Sequence, residues 1–107
     1  MRKEVVPIKV SELEIHTLVK EIWQKKKVEF IKYTMKLTGQ ENPIYVVKRK
    51  DKFYVVEGVV RLVAAQEIPM EFLDCIVLDI PDNQVIDQRL RLNQKSKTHI
   101  KETCYYL

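Results

Sequence analysis

Apolar runs of four to seven residues alternate with charged or Gly- and Pro-marked breaks along the chain, and the spacing within the runs switches between strand-like and helix-like. Residues 5–10 are apolar and β-branched with Pro7 inside, which suits an edge strand because proline cannot donate to a ladder. Ser11-Glu12-Leu13 reads as a turn or a short 3₁₀ segment. Across residues 14–23, Ile15, Leu18, Val19 and Ile22 recur at helical spacing, so a helix is expected there. A second helix is expected over residues 26–38. Val28, Ile31, Met35 and Thr38 form its apolar stripe with Phe30 and Leu37 beside it, Lys27, Glu29, Lys32 and Lys36 take the other side, and Gly39 stands at its end.

Residues 43–47 and 53–56 then read as two strands of a hairpin across Lys50-Asp51-Lys52, with Gly58 ending the second. Leu62-Val63-Ala64-Ala65-Gln66 is helix-compatible, and its small alanines allow a close approach to a sheet. Residues 72–78 are almost all apolar, the pattern of a strand buried on both faces. Asp82 is a candidate N-cap for a helix that places Val85, Ile86 and Leu90 on one face, and a last helix can start at Thr98. Without repeats or linkers, residues 1–107 are expected to form one α/β (α+β) domain around a mixed sheet of about four strands flanked by helices.

Composition narrows the function classes. Of the 107 residues 46% are hydrophobic, an ordinary globular fraction, and no run approaches the length that spans a bilayer, so a cytoplasmic protein with no membrane partner is expected. Cys75 and Cys104 form no C-x-x-C pair, and Cys75 lies in the apolar 72–78 run, so neither a disulfide nor redox chemistry is expected. His16 and His99 are far apart in sequence and suggest no metal site. His16 reads as a packing or ligand-edge residue. Lys and Arg outnumber Asp and Glu by 19 to 15, with clusters at Lys25-Lys26-Lys27, at Lys48-Arg49-Lys50 with Lys52, and at Arg89, Arg91, Lys95, Lys97 and Lys101 around Asn93. Such clusters support at most weak, salt-sensitive DNA contact, and short lysine runs are commonly just solvated surface.

The candidate chemistry lies at Glu57-Gly58-Val59-Val60-Arg61. A glycine between strand and helix permits positive φ and close backbone approach, and the amides of Val59, Val60 and Arg61 would be free N–H groups at a helix N-terminus, which favours an anion such as phosphate. Arg61 can add a charge-assisted contact. The plainer alternative is that Gly58 only ends a strand and Arg61 pairs with Glu57. Asn93 can cap the last helix or bond a ligand, with Lys95 and Lys97 adding charge beside it or remaining in solvent. Trp23 and Tyr105-Tyr106 read as core or interface aromatics.

Three segments in order carry a family resemblance: Ile8-Lys9-Val10-Ser11-Glu12-Leu13 with His16; Asn42-Pro43-Ile44-Tyr45-Val46-Val47 followed by residues 53–65; and Arg91 to Thr98 around Asn93. Together they resemble the N-terminal domain of the ParB partition proteins, a fold shared with sulfiredoxins and free-serine kinases. The family's "G-E-R-R" is Gly58-Val59-Val60-Arg61 here, and its "E-N-x-x-R" box falls at Asn93. Val59 stands where sulfiredoxins have their catalytic cysteine, which excludes that activity, and Val60 stands at the histidine of the kinases' "D-G-x-H-R". The resemblance implies a nucleotide of the CTP or ATP/ADP type, with Mg²⁺, held by Gly58, Val59, Val60, Arg61, Asn93, Lys95, Lys97 and His16. It implies a module that regulates association with DNA or a protein partner, with a homodimer as a further expectation. The alternatives are a small-molecule (serine-type) kinase or nuclease, for which Glu57 is the acidic candidate, and an interaction domain with a degenerate pocket.

Overall fold

The computed structural model describes residues 4–40 and 42–92. Its strands are β1 (Val5–Lys9), β2 (Leu13–Ile15), β3 (Ile44–Arg49), β4 (Lys52–Glu57) and β5 (Phe72–Leu78). The helices are α1 (Lys25–Thr38), α2 (Val59–Glu67) and, over its described part, α3 (residues 85–92). The strands form one sheet in the order β1-β5-β3-β4-β2. β1 pairs antiparallel with β5, β5 parallel with β3, β3 antiparallel with β4, and β4 parallel with β2.

Pro7 lies on the sheet's outer strand, as its missing N–H requires. The helix expected over residues 14–23 does not form. Leu13–Ile15 instead adds a fifth strand, and the backbone beyond it finds other partners: His16 N–H donates to Val55 O at 3.1 Å, Val19 N–H to His16 O at 2.9 Å, and Leu18 N–H to the His16 ring Nδ1 at 3.1 Å. Of the four apolar residues that suggested the helix, only Val19 is buried, and Ile22 is 98% exposed. Without a side-chain cap, helical spacing alone did not outweigh an available sheet edge.

α1 buries Val28 and Met35 and packs against α2, to which Lys32 is tied through Glu67 at 3.2 Å. Gly39 closes it at φ 78°, its N–H bonded to Met35 O. The Gln40 side chain then brackets Asp74, accepting its N–H at 2.6 Å and donating to its carbonyl at 2.9 Å, and so anchors the chain to β5 just before β3 starts. β5 is not buried on both faces throughout. Phe72, Asp74 and Val77 are exposed, and only the neighbours Cys75 and Ile76 are both buried, so each face of β5 is left partly in solvent. In α3, Val85 is fully buried while Ile86 and Leu90 are exposed. The core gathers Ile44, Val46, Val47, Val55, Val56, Leu62, Ala64, Ala65 and Leu73 between the sheet and the helices.

Candidate functional site

The β4–α2 junction is where the strand-to-helix reading placed it, and its geometry has three causes. Gly58 adopts φ 110°, ψ 26°, a left-handed conformation that side chains strongly disfavour. Its Cα faces Ile44, and a Cβ built there would stand 2.4 Å from Ile44 Cγ2 and 2.7 Å from Ile44 Cβ. The glycine is therefore required by packing as well as by φ. Thirdly, β3–β4 pairing jumps from Tyr45–Glu57 to Val46–Val55, so Val56 is an extra, bulged residue that turns the strand end toward the helix.

The first backbone bond of α2 runs from Leu62 N–H to Gly58 O at 3.1 Å, and no side chain among the described residues caps the helix. The preceding amides of Val59, Val60 and Arg61 are left for another acceptor. The Val59 and Val60 side chains are 1% and 7% exposed, so both are core residues that offer only their backbone. Arg61 does not pair with Glu57. Its Nη1 donates to Pro43 O at 3.2 Å and Asn42 O at 3.4 Å, fastening the start of β3 to α2. Burial pulls the Arg61 guanidinium below its usual range, partly countered by the charge of Glu57. Glu57 Oε1 accepts Gly58 N–H at 3.0 Å, while Oε2 is buried with no partner among the described residues.

The segment at residues 16–24, most of which falls in the helix expected over residues 14–23, crosses this junction as irregular chain. Ile15, Val19, Lys20, Glu21, Ile22, Trp23 and Val59 line a cleft of about 440 Å³. Arg89 of α3 closes the arrangement from the other side, with Nη1 donating to the bulged Val56 O at 2.6 Å and Nη2 to Glu21 Oε1 at 3.3 Å. Sequence reasoning missed the cleft and the role of Arg89. The only prior signals were the positive charge of Arg89 and an aromatic residue at Trp23.

His16 is set apart from this cleft. It is 4% exposed, sits edge-on to Tyr54, and bonds Asp82 Oδ1 through Nε2 at 3.1 Å. Because Nδ1 accepts the Leu18 N–H, the neutral ring carries its proton on Nε2 and donates it to Asp82. Asp82 is therefore not a helix N-cap: it opens a 3₁₀ turn (Asp82–Gln84) ahead of α3, with Pro81 at the cap position of that turn, and its carboxylate bridges His16 and Arg49, the latter at 2.9 Å. Those partners, His16 first and Arg49 second, hold the Asp82 carboxyl below its usual range.

The second basic cluster is largely neutralised. Arg49 pairs with Asp82 and Lys52 with Glu14 at 2.8 Å, and Lys48 lies over the Phe53 ring. In the third, Arg89 pairs with Glu21 and Arg91 with Asp87. Asn93, Lys95 and Lys97, with His99, Cys104 and the helix expected from Thr98, lie outside the described residues. Among the described residues there is no cluster of three metal-ligating side chains and no helix long and apolar enough to cross a membrane.

The profile of the ParB N-terminal domain matches residues 1–94. The chain belongs to the ParB N-terminal domain family. No curated protein matches it in sequence. In structure it is similar to a C-terminally truncated ParB from Caulobacter crescentus complexed with CTP-γ-S, with a TM-score of 0.75 and 17% identity over 84% of this chain. It is also similar to sulfiredoxin from Arabidopsis thaliana, with a TM-score of 0.66, 16% identity and 81% of this chain covered, and to a free serine kinase in complex with AMP, at 0.59, 19% and 74%. It spans 52% of that ParB chain, 97% of the sulfiredoxin and 32% of the kinase. At such identities the likeness speaks to the fold, which is the mixed sheet and helices expected for a ParB/sulfiredoxin domain, with β2 as the strand beyond the four anticipated.

Proposed function

We propose that this ParB-type domain binds a nucleotide, with the phosphates at the N-terminus of α2 and the base in the cleft beside Trp23, and that occupancy regulates its association with DNA or a protein partner. The observation that carries the reading is the uncapped α2 N-terminus opening beside a cleft lined by Val59 and Trp23. Three amides face the phosphates with the positive end of the helix dipole behind them. Among the described residues Arg61 bonds through Nη1 alone, and the rest of its guanidinium would serve a phosphate oxygen. The exposed part of Trp23 offers a stacking face to a base.

Glu57 sits at an awkward place for an anion site, and its orphaned Oε2 supplies the answer. A carboxylate beside phosphates needs a cation or a donor between them, and Mg²⁺ is commonly held by one or two carboxylates together with substrate phosphates. Glu57 would hold a Mg²⁺ carried by the nucleotide. The ParB and kinase neighbours, complexed with CTP-γ-S and AMP, make a nucleoside phosphate the ligand class to try first. Asn93, Lys95 and Lys97, which the family resemblance implicates, would contact the same ligand.

Calorimetry with CTP, ATP and ADP, each with and without Mg²⁺, tests the reading. One nucleotide should bind, Glu57→Gln should reduce the contribution of Mg²⁺, and Arg61→Ala should weaken binding by about 1.5–3 kcal/mol while preserving the circular dichroism spectrum. If no nucleotide binds at millimolar concentration, the buried Val59 and Val60 mark a site given over to packing, and the interaction-module alternative replaces this one.

A further inference from the structure

The outward face of α1 is apolar where a solvated helix would be polar. Phe30, Tyr33 and Leu37 are 63%, 62% and 65% exposed. Their spacing of three and four residues puts them on one stripe, on the side of the helix opposite the buried Val28 and Met35. This is an a-d-a seam of the kind that packs against another helix. The helix also breaks a local rule. Lys25, Lys26 and Lys27 occupy its first turn with no acidic residue among them, adding positive charge to the positive end of the dipole.

The polar residues beside the seam say what fits it. Glu29 and Lys36 each immediately precede a seam residue, so they share one flank, seven residues apart. In an antiparallel pair of these helices, with Tyr33 near the two-fold axis, Phe30 meets Leu37 of the second copy and Glu29 meets Lys36 of the second copy, each contact occurring twice. The same arrangement lays the three-lysine N-terminus beside the negative end of the other helix, which offsets the local cost. Glu29 pairs with Lys32 of its own helix at 3.3 Å, and because Lys32 is also held by Glu67 at 3.2 Å, Lys32 keeps a partner when Glu29 turns to the second copy. Lys26, Lys27 and Lys36 have no ion pair among the described residues.

We propose that the α1 face is a self-complementary surface on which two copies of this chain associate as an antiparallel helix pair. The seam and its flanking charges match themselves under a two-fold rotation, which is the requirement for an isologous interface. Two 14-residue helices cover less area than a standard stable interface, so the association is of the weak, transient class.

Sedimentation equilibrium of the full chain from about 10 µM to about 1 mM reads it directly. A concentration-dependent dimer is expected. Tyr33→Glu, at an exposed position, should abolish it without changing the circular dichroism spectrum. Glu29→Lys and Lys36→Glu should each weaken self-association about tenfold, since each replaces two attractive contacts by two repulsive ones. An equimolar mixture of the two variants should recover dimer, because both cross-helix contacts between positions 29 and 36 then pair opposite charges again. A chain monomeric at the top concentration overturns the proposal, and so does a dimer indifferent to Tyr33→Glu or a mixture that fails to recover.

Discussion

Gly58 is pressed against Ile44 so closely that a β-carbon would lie 2.4 Å from Ile44 Cγ2, although the two residues are far apart along the chain. With φ at 110° as well, Gly58→Ala meets both a steric and a conformational penalty. A loss of about 2–4 kcal/mol is expected from urea denaturation. Trimming Ile44 to Val should recover little, since it removes only Cδ1 and leaves both Cγ2 and Cβ in the way. Substitution of Gly58 is thus a test of the fold and cannot report on ligand binding alone, unlike substitution of Arg61.

Arg89 and Glu21 hold the residue 16–24 segment against the sheet through side chains that are 15% and 23% exposed. Glu21→Ala leaves a largely buried guanidinium with the Val56 carbonyl as its one partner among the described residues, and should cost about 1–3 kcal/mol. Hydrogen exchange should show faster opening of residues 16–24, with little change in β3 and β5. Arg89→Ala should do the same and also free the bulged Val56 carbonyl.

Asp82 gives stability an acid limb. Its carboxyl is held below the ordinary range by His16 and Arg49, so the folded state binds that proton less readily than the unfolded chain. The contribution is complete above the ordinary carboxylate pKa and is lost as pH falls through the depressed value. Thermal melts of Asp82→Asn should show a shallower loss of Tm on acidification than the unmodified protein, and parallel profiles near neutrality.

Cys75 should be chemically silent. Burial, with Asp74 nearby, pushes its thiol up to about 12, and its Sγ donates to Leu73 O at 3.4 Å. In the native state, iodoacetamide at neutral pH should leave Cys75 unmodified by peptide mass mapping, whereas urea should expose it to reaction. Alkylation of Cys75 in the folded domain would indicate that β5 opens far more readily than its pairing on both edges implies.

Local pattern was enough for much of the molecule. Pro7 forced β1 to the sheet's edge, the alternation around Lys50 and Asp51 built the β3–β4 hairpin, the Val28–Met35 stripe and Gly39 delimited α1, and Gly58 separated β4 from α2. Each of these signals sits within a few residues of what it controls: a missing N–H, a two-residue or 3.6-residue period, a positive φ. The family resemblance was legible for the same reason, since its motifs are short stretches at these turns.

What the tertiary structure alone decided lies between residues far apart in the chain. Residues 13–15 became a strand because β4 offered an open edge, overruling a helical period in the residues that follow. Asp82 became a bridge between His16 and Arg49, 66 and 33 residues away, where its neighbours suggested a cap. Arg89 reached Glu21 across 68 residues and so tied down one lining residue of a cleft that no local motif announces. Backbone preferences are short-ranged and can be read in order along a sequence. Pairing energies depend on which distant groups the sheet brings within about 3 Å, and that is fixed only when the whole chain is packed.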